Sequence, residues 1–378
     1  MNPEERQLFP LNQWYVAGFS WELGEKPVAR TLLNRHVVLF RLKDGSAAAL
    51  EDRCCHRGLP LSFGTLESRG IRCGYHGLLF NGEGRCIEIP GQERIPEKAC
   101  VRSFPVEEQD QIVWIWMGSE EGAAAPDSSP PAYPWHNDAR YEFRGDVYHY
   151  EAPYYLIHDN LMDLSHLGYV HLATIGGNPT THMTAEMRIE QTGDVVNVRR
   201  WMKDSIPPKT YTDAWPFAGK VDRWQEIEFD VTHLRIWTGA AEAGAESLEN
   251  PERGGFHMRG LHGITPETDT TTHYFWTIAS NHADPEHRNI DTVFAQTAQT
   301  FGEDKVIVEA QHRNLVRFPE HAGVDIHVDG GANRARRVVQ RLSTASAART
   351  PQVATSRNID VAQNAAPSPA SSPTAVQS

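Results

Sequence analysis

Asn160-Leu-Met-Asp-Leu-Ser-His-Leu-Gly-Tyr-Val-His171 is the stretch on which the reading of this chain turns. It carries two imidazoles and a carboxylate within one run of helical character, predicted over 154–170. Asn160, Asp163 and His166 recur every three residues, so they lie along one helical face. His171 follows five residues after His166, which at about 100° per residue turns it about 140° away. Both imidazoles can meet one metal only where the helix is distorted, and a π-type turn or break is expected near Gly168. A distant carboxylate joins them. Ile290, Phe294, Phe301, Val308 and Leu315 form an apolar stripe on a helix predicted over 289–315, and Asp304 lies within it. An unpaired ionised carboxylate on a buried face is costly, and metal ligation removes that cost. Two histidines and one carboxylate with open positions suit a mononuclear Fe(II). His166, His171 and Asp304 are the expected ligands, whereas Glu303 and Glu309 read as helix-surface ion-pair residues.

At 378 residues the chain is long enough for two domains. Its 40% hydrophobic and 22% charged residues fit a soluble globular protein. The net charge of −13 argues against a nucleic-acid partner. No apolar run approaches membrane-spanning length, and the amino terminus has no apolar core of a secretory signal. The cysteines are Cys54, Cys55, Cys73, Cys86 and Cys100. An odd, sparse set is not a disulfide framework, and thiolates that hold metal point to a reducing cytoplasm. Cys55, Cys86 and Cys100 read as small buried apolar residues.

The predicted fold class is α+β. Residues 1–135 read as short strands that make a small antiparallel barrel or sandwich. Those over 35–42 and 47–50 flank the hairpin signal Lys43-Asp44-Gly45, and strands over 14–19, 78–80, 86–89, 101–105 and 112–117 complete it. A Gly-, Ala- and Pro-rich linker spans 122–134. Residues 136–343 read as an antiparallel sheet with helices, its strands over 185–192, 195–201, 225–231, 234–238 and 271–278. The segments 205–220 and 239–255 read as long loops, and 333–342 as a short basic helix. Residues 344–378, rich in Ala, Ser, Pro, Thr and Gln, read as a disordered tail.

A second metal motif lies nearer the amino terminus: Cys54-x-His56, then Cys73-x-x-His76. Each half offers one thiolate and one imidazole from a tight loop. Two cysteines on one iron and two histidines on the other make a [2Fe–2S] centre of Rieske type. Zinc accepts the same four ligands, but each loop sits between strand signals, and Gly58, Gly74 and Gly77 permit close backbone approach to sulfide.

These two motifs, with Glu303-Asp304-Lys305 and Thr265-Pro-Glu267 followed by Thr272-His-Tyr-Phe-Trp276, resemble the alpha subunit of Rieske non-haem iron oxygenases. The likeness covers about residues 7 to 343 and is strongest to the vanillate and dicamba O-demethylase group, which includes aryl N-dealkylases. It implies an amino-terminal all-β Rieske domain and a helix-grip catalytic domain. It also implies one [2Fe–2S] cluster and one mononuclear Fe(II) per subunit, with O₂ as co-substrate. Electrons would come from NAD(P)H through a separate ferredoxin and/or flavin reductase, since no Gly-rich dinucleotide fingerprint follows a strand here. The activated oxygen would hydroxylate an alkyl carbon on oxygen or nitrogen of a small aromatic compound, and the unstable product would collapse to an aldehyde and the dealkylated arene. The resemblance further implies a homotrimer in which Asp163 links His166 to the cluster-ligating His76 of the neighbouring subunit. Asn160 would lie near the iron without necessarily binding it.

The expected substrate pocket is mostly apolar with a few polar groups. Its candidates are Ile236, His262, Trp276, Thr297 and Ala298. No convergent arginine pair stands out in the sheet segments, which tilts the reading toward a neutral arene over a benzoate. Two competing readings are a ring-hydroxylating dioxygenase, whose alpha subunits are usually longer, and a Rieske electron-transfer protein without oxygenase activity. The second leaves residues 150–320 without a purpose.

Overall fold

A computed structural model describes residues 9–119, 129–245, 250, 252–284, 288–320 and 323–349. Most of the expected linker and residues 350–378 lie outside them. Among the described residues no helix is long and apolar enough to cross a membrane.

The amino-terminal part holds three antiparallel sheets. Gln13–Phe19 and Val106–Gln109 flank Ile112–Met117 in the first, and Val28–Leu32, Arg35–Arg41, Ala47–Glu51 and Ser103–Phe104 form the second. The third is the small meander Thr65–Glu67, Gly70–Arg72, Leu79–Phe80 and Cys86–Glu88. The expected hairpin is present: Phe40 pairs with Ala48, and Gly45 closes the turn at φ 90°. The expected strands over 47–50, 78–80, 86–89 and 101–105 are present in whole or part, whereas Val28–Leu32, Thr65–Glu67, Gly70–Arg72 and Val106–Gln109 were not expected, being too short for alternation to reveal them.

The carboxyl-terminal part is one seven-stranded antiparallel sheet. Across it run Tyr141–Tyr150, Thr272–Asn281, Phe256–Pro266, His233–Glu242, Val221–Asp230, Val195–Ser205 and Glu186–Thr192. Two of these strands were not expected. Phe256–Pro266 carries Gly260 and Gly263, which disfavour a strand reading. The packing requires both: a Cβ at Gly260 would lie 2.7 Å from His262 Nε2, and one at Gly263 would lie 2.5 Å from Val16. The predicted loop 205–220 contains a short helix, Lys209–Ala214, and the first residues of the predicted loop 239–255 continue a strand to Glu242.

The sheet is covered on both faces. On one side Tyr274, Trp276 and Ile278 join Ile236, Met258 and Phe301 in the main core, beneath the long helix Ile290–Arg317. On the other, Leu261 and Phe275 pack with Val16, Phe19 and Trp114 of the first amino-terminal sheet. Thr232 and Thr265 donate their hydroxyls to the carbonyls of Trp14 and Val16, each at 2.7 Å. The two halves therefore share a buried, apolar seam that is also hydrogen-bonded. The last helix, Gly330–Arg349, runs beyond its expected end at 342 and removes 344–349 from the expected tail. Its Ser346 hydroxyl accepts the Leu11 N–H at 3.0 Å.

Candidate active site

The loops at Cys54 and Cys73 are built alike. In each, the cysteine N–H bonds the carbonyl five residues on (Leu59, Leu78) at 2.8 Å, and its carbonyl accepts from a glycine four residues on (Gly58, Gly77) at 3.0 and 3.1 Å. Those glycines have φ of 76° and 74°, a conformation costly for any residue with a side chain. Both cysteines are buried in the core with Phe40, Leu61 and Ile71, while His56 and His76 are exposed with ring centroids 4.5 Å apart. Buried thiols beneath surface imidazoles suit a two-iron cluster with one inner and one outer iron.

The iron-binding stretch is not one helix with a bulge at Gly168. An α-helix, Tyr154–Met162, stops where Asp163 becomes extended (φ −128°, ψ 102°). A 3₁₀ turn, Leu164–His166, and a short helix, Leu167–Val170, follow. The Asp163 carboxylate caps this turn, accepting from the Ser165 N–H at 2.8 Å and bonding its hydroxyl at 2.9 Å. His166 ends the 3₁₀ turn and His171 falls just outside the short helix (φ −111°, ψ 42°), and this change of backbone geometry between them lets both rings turn to one centre. Gly168 serves close packing: a Cβ there would sit 2.4 Å from Pro179 Cα. Because backbone cannot swing aside, Gly168→Ala should cost about 1–3 kcal/mol of stability. An unchanged thermal midpoint for that variant would show that the Pro179 segment yields freely.

His166, His171 and Asp304 do converge. Asp304 Oδ1 lies 3.3 Å from His166 Nε2 and 3.1 Å from His171 Nε2, and all three donor atoms fall within 4.8 Å of one another. One carboxylate and two imidazole nitrogens this close together are a donor set that would hold a mononuclear iron. The opposite ring nitrogens are occupied: His166 Nδ1 is 2.7 Å from the Asp163 carbonyl, and His171 Nδ1 is 2.8 Å from Glu303 Oε2. These acceptors place the protons on Nδ1 and leave both Nε2 lone pairs for a metal. With no metal at Nε2, each ring can instead donate from Nε2 to Asp304; burial pushes the Asp304 carboxyl up, but those hydrogen bonds outweigh it and hold it well below the usual range. For His171, burial is likewise outweighed, by Asp304 and then Glu303, and its pKa is raised. Asn160 donates its amide to Asp304 Oδ1 at 3.0 Å.

A cavity of about 60 Å³ opens from this cluster. Leu161, Leu164, Leu167, Ile175, Ile236, Met258, Ile278 and Phe301 supply its apolar wall, and Thr238, His262, Thr297 and Thr300 its polar points. His262 is fully buried, which pushes its pKa down to about 3, so a neutral ring faces the cavity. Its Nδ1 is 2.6 Å from the Tyr274 hydroxyl.

Comparison with known families decides what this pair of centres is. Residues 13–105 match the Rieske [2Fe–2S] domain, and residues 150–345 match the vanillate O-demethylase oxygenase C-terminal domain. The chain belongs to the Rieske non-haem iron oxygenases. It therefore carries a Rieske [2Fe–2S] cluster and a mononuclear non-haem iron. A putative toluene-4-sulfonate monooxygenase system iron-sulfur subunit of Comamonas testosteroni is 39% identical over 88% of this chain and 96% of its own length. The vanillate O-demethylase oxygenase subunit of a Pseudomonas species is 35% identical over 89% and 96%. The crystal structure of dicamba monooxygenase bound to dicamba superposes with a TM-score of 0.81 at 34% identity, covering 91% of this chain and all of that one.

Within this oxygenase the structure sorts the pocket candidates. Ile236, His262 and Thr297 line the cavity. Trp276 does not: it lies one layer behind, edge-on to the lining ring of Phe301 at 4.9 Å. Nor does Ala298, whose carbonyl accepts the Tyr148 hydroxyl on the strand side of the helix. Two arginines do converge in the sheet, on neighbouring strands: Arg200 and Arg223, both buried. They reach the segment after His171, Arg200 to the carbonyl of His182 in the short helix Pro179–Met183 and Arg223 to that of Ile175 at 3.0 Å, and neither lines the cavity. Glu303, expected as a surface ion pair, is the partner of His171. Its position beside Asp304 was the available signal, since adjacent residues of one helix can straddle a single imidazole.

Proposed function

We propose that this chain is the oxygenase component of a multicomponent monooxygenase that O- or N-dealkylates a small aromatic compound. The carrying observation is the cluster of two Nε2 atoms and one carboxylate at the mouth of an apolar cavity, in a chain that also bears the Rieske motif. Bound by His166, His171 and Asp304, iron would supply the activation of O₂ that no side chain can perform. The residues around it do the rest. Asn160 and Glu303 hold Asp304 and His171 in place. Leucine and isoleucine side chains keep water from the reacting carbon. His262, neutral and held by Tyr274, offers one polar contact to the ring substituent of the substrate. An engineered cavity of about 150 Å³ accepts benzene, so the pocket must widen on binding.

In the overall reaction one oxygen atom enters a C–H bond of the alkyl group and the other leaves as water, with two electrons and two protons consumed. Electrons arrive from NAD(P)H through a separate ferredoxin and/or flavin reductase. The hydroxylated carbon, bearing two heteroatoms, then expels the arene as phenol or aniline and leaves as an aldehyde. The cavity lining contains no arginine or lysine, which supports a neutral arene. The toluene-4-sulfonate relative supports a second reading, hydroxylation of a methyl carbon on the ring itself.

We further place the oxygenase in the cytoplasm as a homotrimer, with electrons passing from His76 of the partner subunit through Asp163 to His166. Exposed His76 lies 4.0 Å from the ring of exposed Tyr75, and exposed Tyr169 precedes Val170, which lines a crevice with Asp163 and His166. The deciding assay uses purified protein, a surrogate reductase, NADH and a panel of alkoxy-, N-alkyl- and methyl-arenes. Dealkylation yields an aldehyde in step with NADH and O₂ consumed. A benzylic alcohol as sole product selects the second reading, a cis-dihydrodiol means ring dioxygenation, and NADH oxidation without any oxygenated product refutes oxygenase function.

A further inference from the structure

The two iron-facing imidazoles are held unequally. His166 Nδ1 meets a neutral main-chain carbonyl, that of Asp163, whereas His171 Nδ1 meets a carboxylate, Glu303. His171 is fully buried, and Glu303 and Asp304 grip its ring from opposite edges. Successive residues of a helix point about 100° apart, so two neighbouring carboxylates of one helix can reach the two nitrogens of one ring. Glu303 is itself steadied one turn earlier, where Gln299 Nε2 donates to its Oε1 at 3.0 Å.

We propose that Glu303 is a positioning residue that, through its charge, makes His171 the stronger of the two imidazole donors and so sets the affinity of the mononuclear site. A carboxylate that accepts the Nδ1–H draws the proton toward itself and raises electron density at Nε2, and it fixes the ring against rotation. A carbonyl does the second and little of the first. The inference rests on the iron reading above.

The test measures Co(II) binding to full-length protein from which the mononuclear iron has been stripped while the cluster is kept. Glu303 is partly exposed at the helix edge, with 31% side-chain accessibility, so its replacement disturbs little packing. Glu303→Ala and Glu303→Gln should each weaken Co(II) by about 10–100-fold, alter the visible Co(II) bands, and leave the cluster absorption unchanged. Gln299→Ala, which only frees Glu303, should weaken binding by less. If Glu303→Gln binds Co(II) as the wild type does, shape and not charge is what matters, and the proposal is overturned. Wild-type affinity in both Glu303 variants overturns it as well. Asp304→Ala, run alongside, should abolish Co(II) binding, and retention there would defeat the iron site itself and not the role of Glu303.

Discussion

Asp304→Ala should abolish substrate turnover while leaving the absorption of the [2Fe–2S] cluster unchanged. The carboxylate has 6% side-chain exposure and sits between the two Nε2 atoms, on the buried face of Ile290–Arg317 that also carries Phe301 and Val308. Alanine favours helix and introduces no polar atom, and the cluster-bearing loops lie in the other half of the molecule. The fold should therefore survive while one of three metal donors is lost. Iron content should fall from about three to about two per chain, following the stoichiometries of cluster and single site. Loss of an outer partner alone costs a metal site about 10–100-fold, so removal of a ligand should reduce turnover by more than about 100-fold. A variant that keeps its third iron and its turnover would place Asp304 outside the site.

Asp163 is expected to give the second large effect, and its two replacements separate two roles. Within one chain its carboxylate caps the 3₁₀ turn at Ser165, while its main-chain carbonyl orients His166. Asparagine caps a helical turn as well as aspartate does, whereas alanine costs about 0.5–2 kcal/mol. In the proposed trimer the charged carboxylate also joins His76 of the partner subunit to His166. Single-turnover reoxidation of the reduced cluster by O₂ and substrate should then slow by about 10–100-fold in both Asp163→Asn and Asp163→Ala, with both metals retained. Full recovery in Asp163→Asn would reduce the residue to a cap and discard the relay.

The candidate ligand residues were legible in the sequence because their signals are local. Cys54-x-His56 and Cys73-x-x-His76 are tight loops, and a loop of five residues has few ways to close around a thiolate. Asp304 was legible because a carboxylate inside an apolar helical stripe needs a reason to be there. The strand Thr272–Asn281 and the helix Ile290–Arg317 followed from residue type and periodicity over about ten residues or more.

What the sequence determined by itself, then, was which side chains are the candidates to hold the metals and which segments are helix or strand where the pattern is long. Tertiary structure alone decided where the iron-binding helix breaks. Periodicity requires a distortion between His166 and His171 but cannot choose its form; the 3₁₀ turn that Asp163 caps at Ser165 and the end of the short helix at Val170 supply it, with Pro179 packed on Gly168. It alone also placed Glu303 on His171, put Trp276 behind Phe301, and turned Arg200 and Arg223 to main-chain carbonyls. Those contacts join residues 18 to 132 positions apart in different elements. They arise from how helices and loops seat on the sheet, and no short-range pattern along the chain encodes that docking.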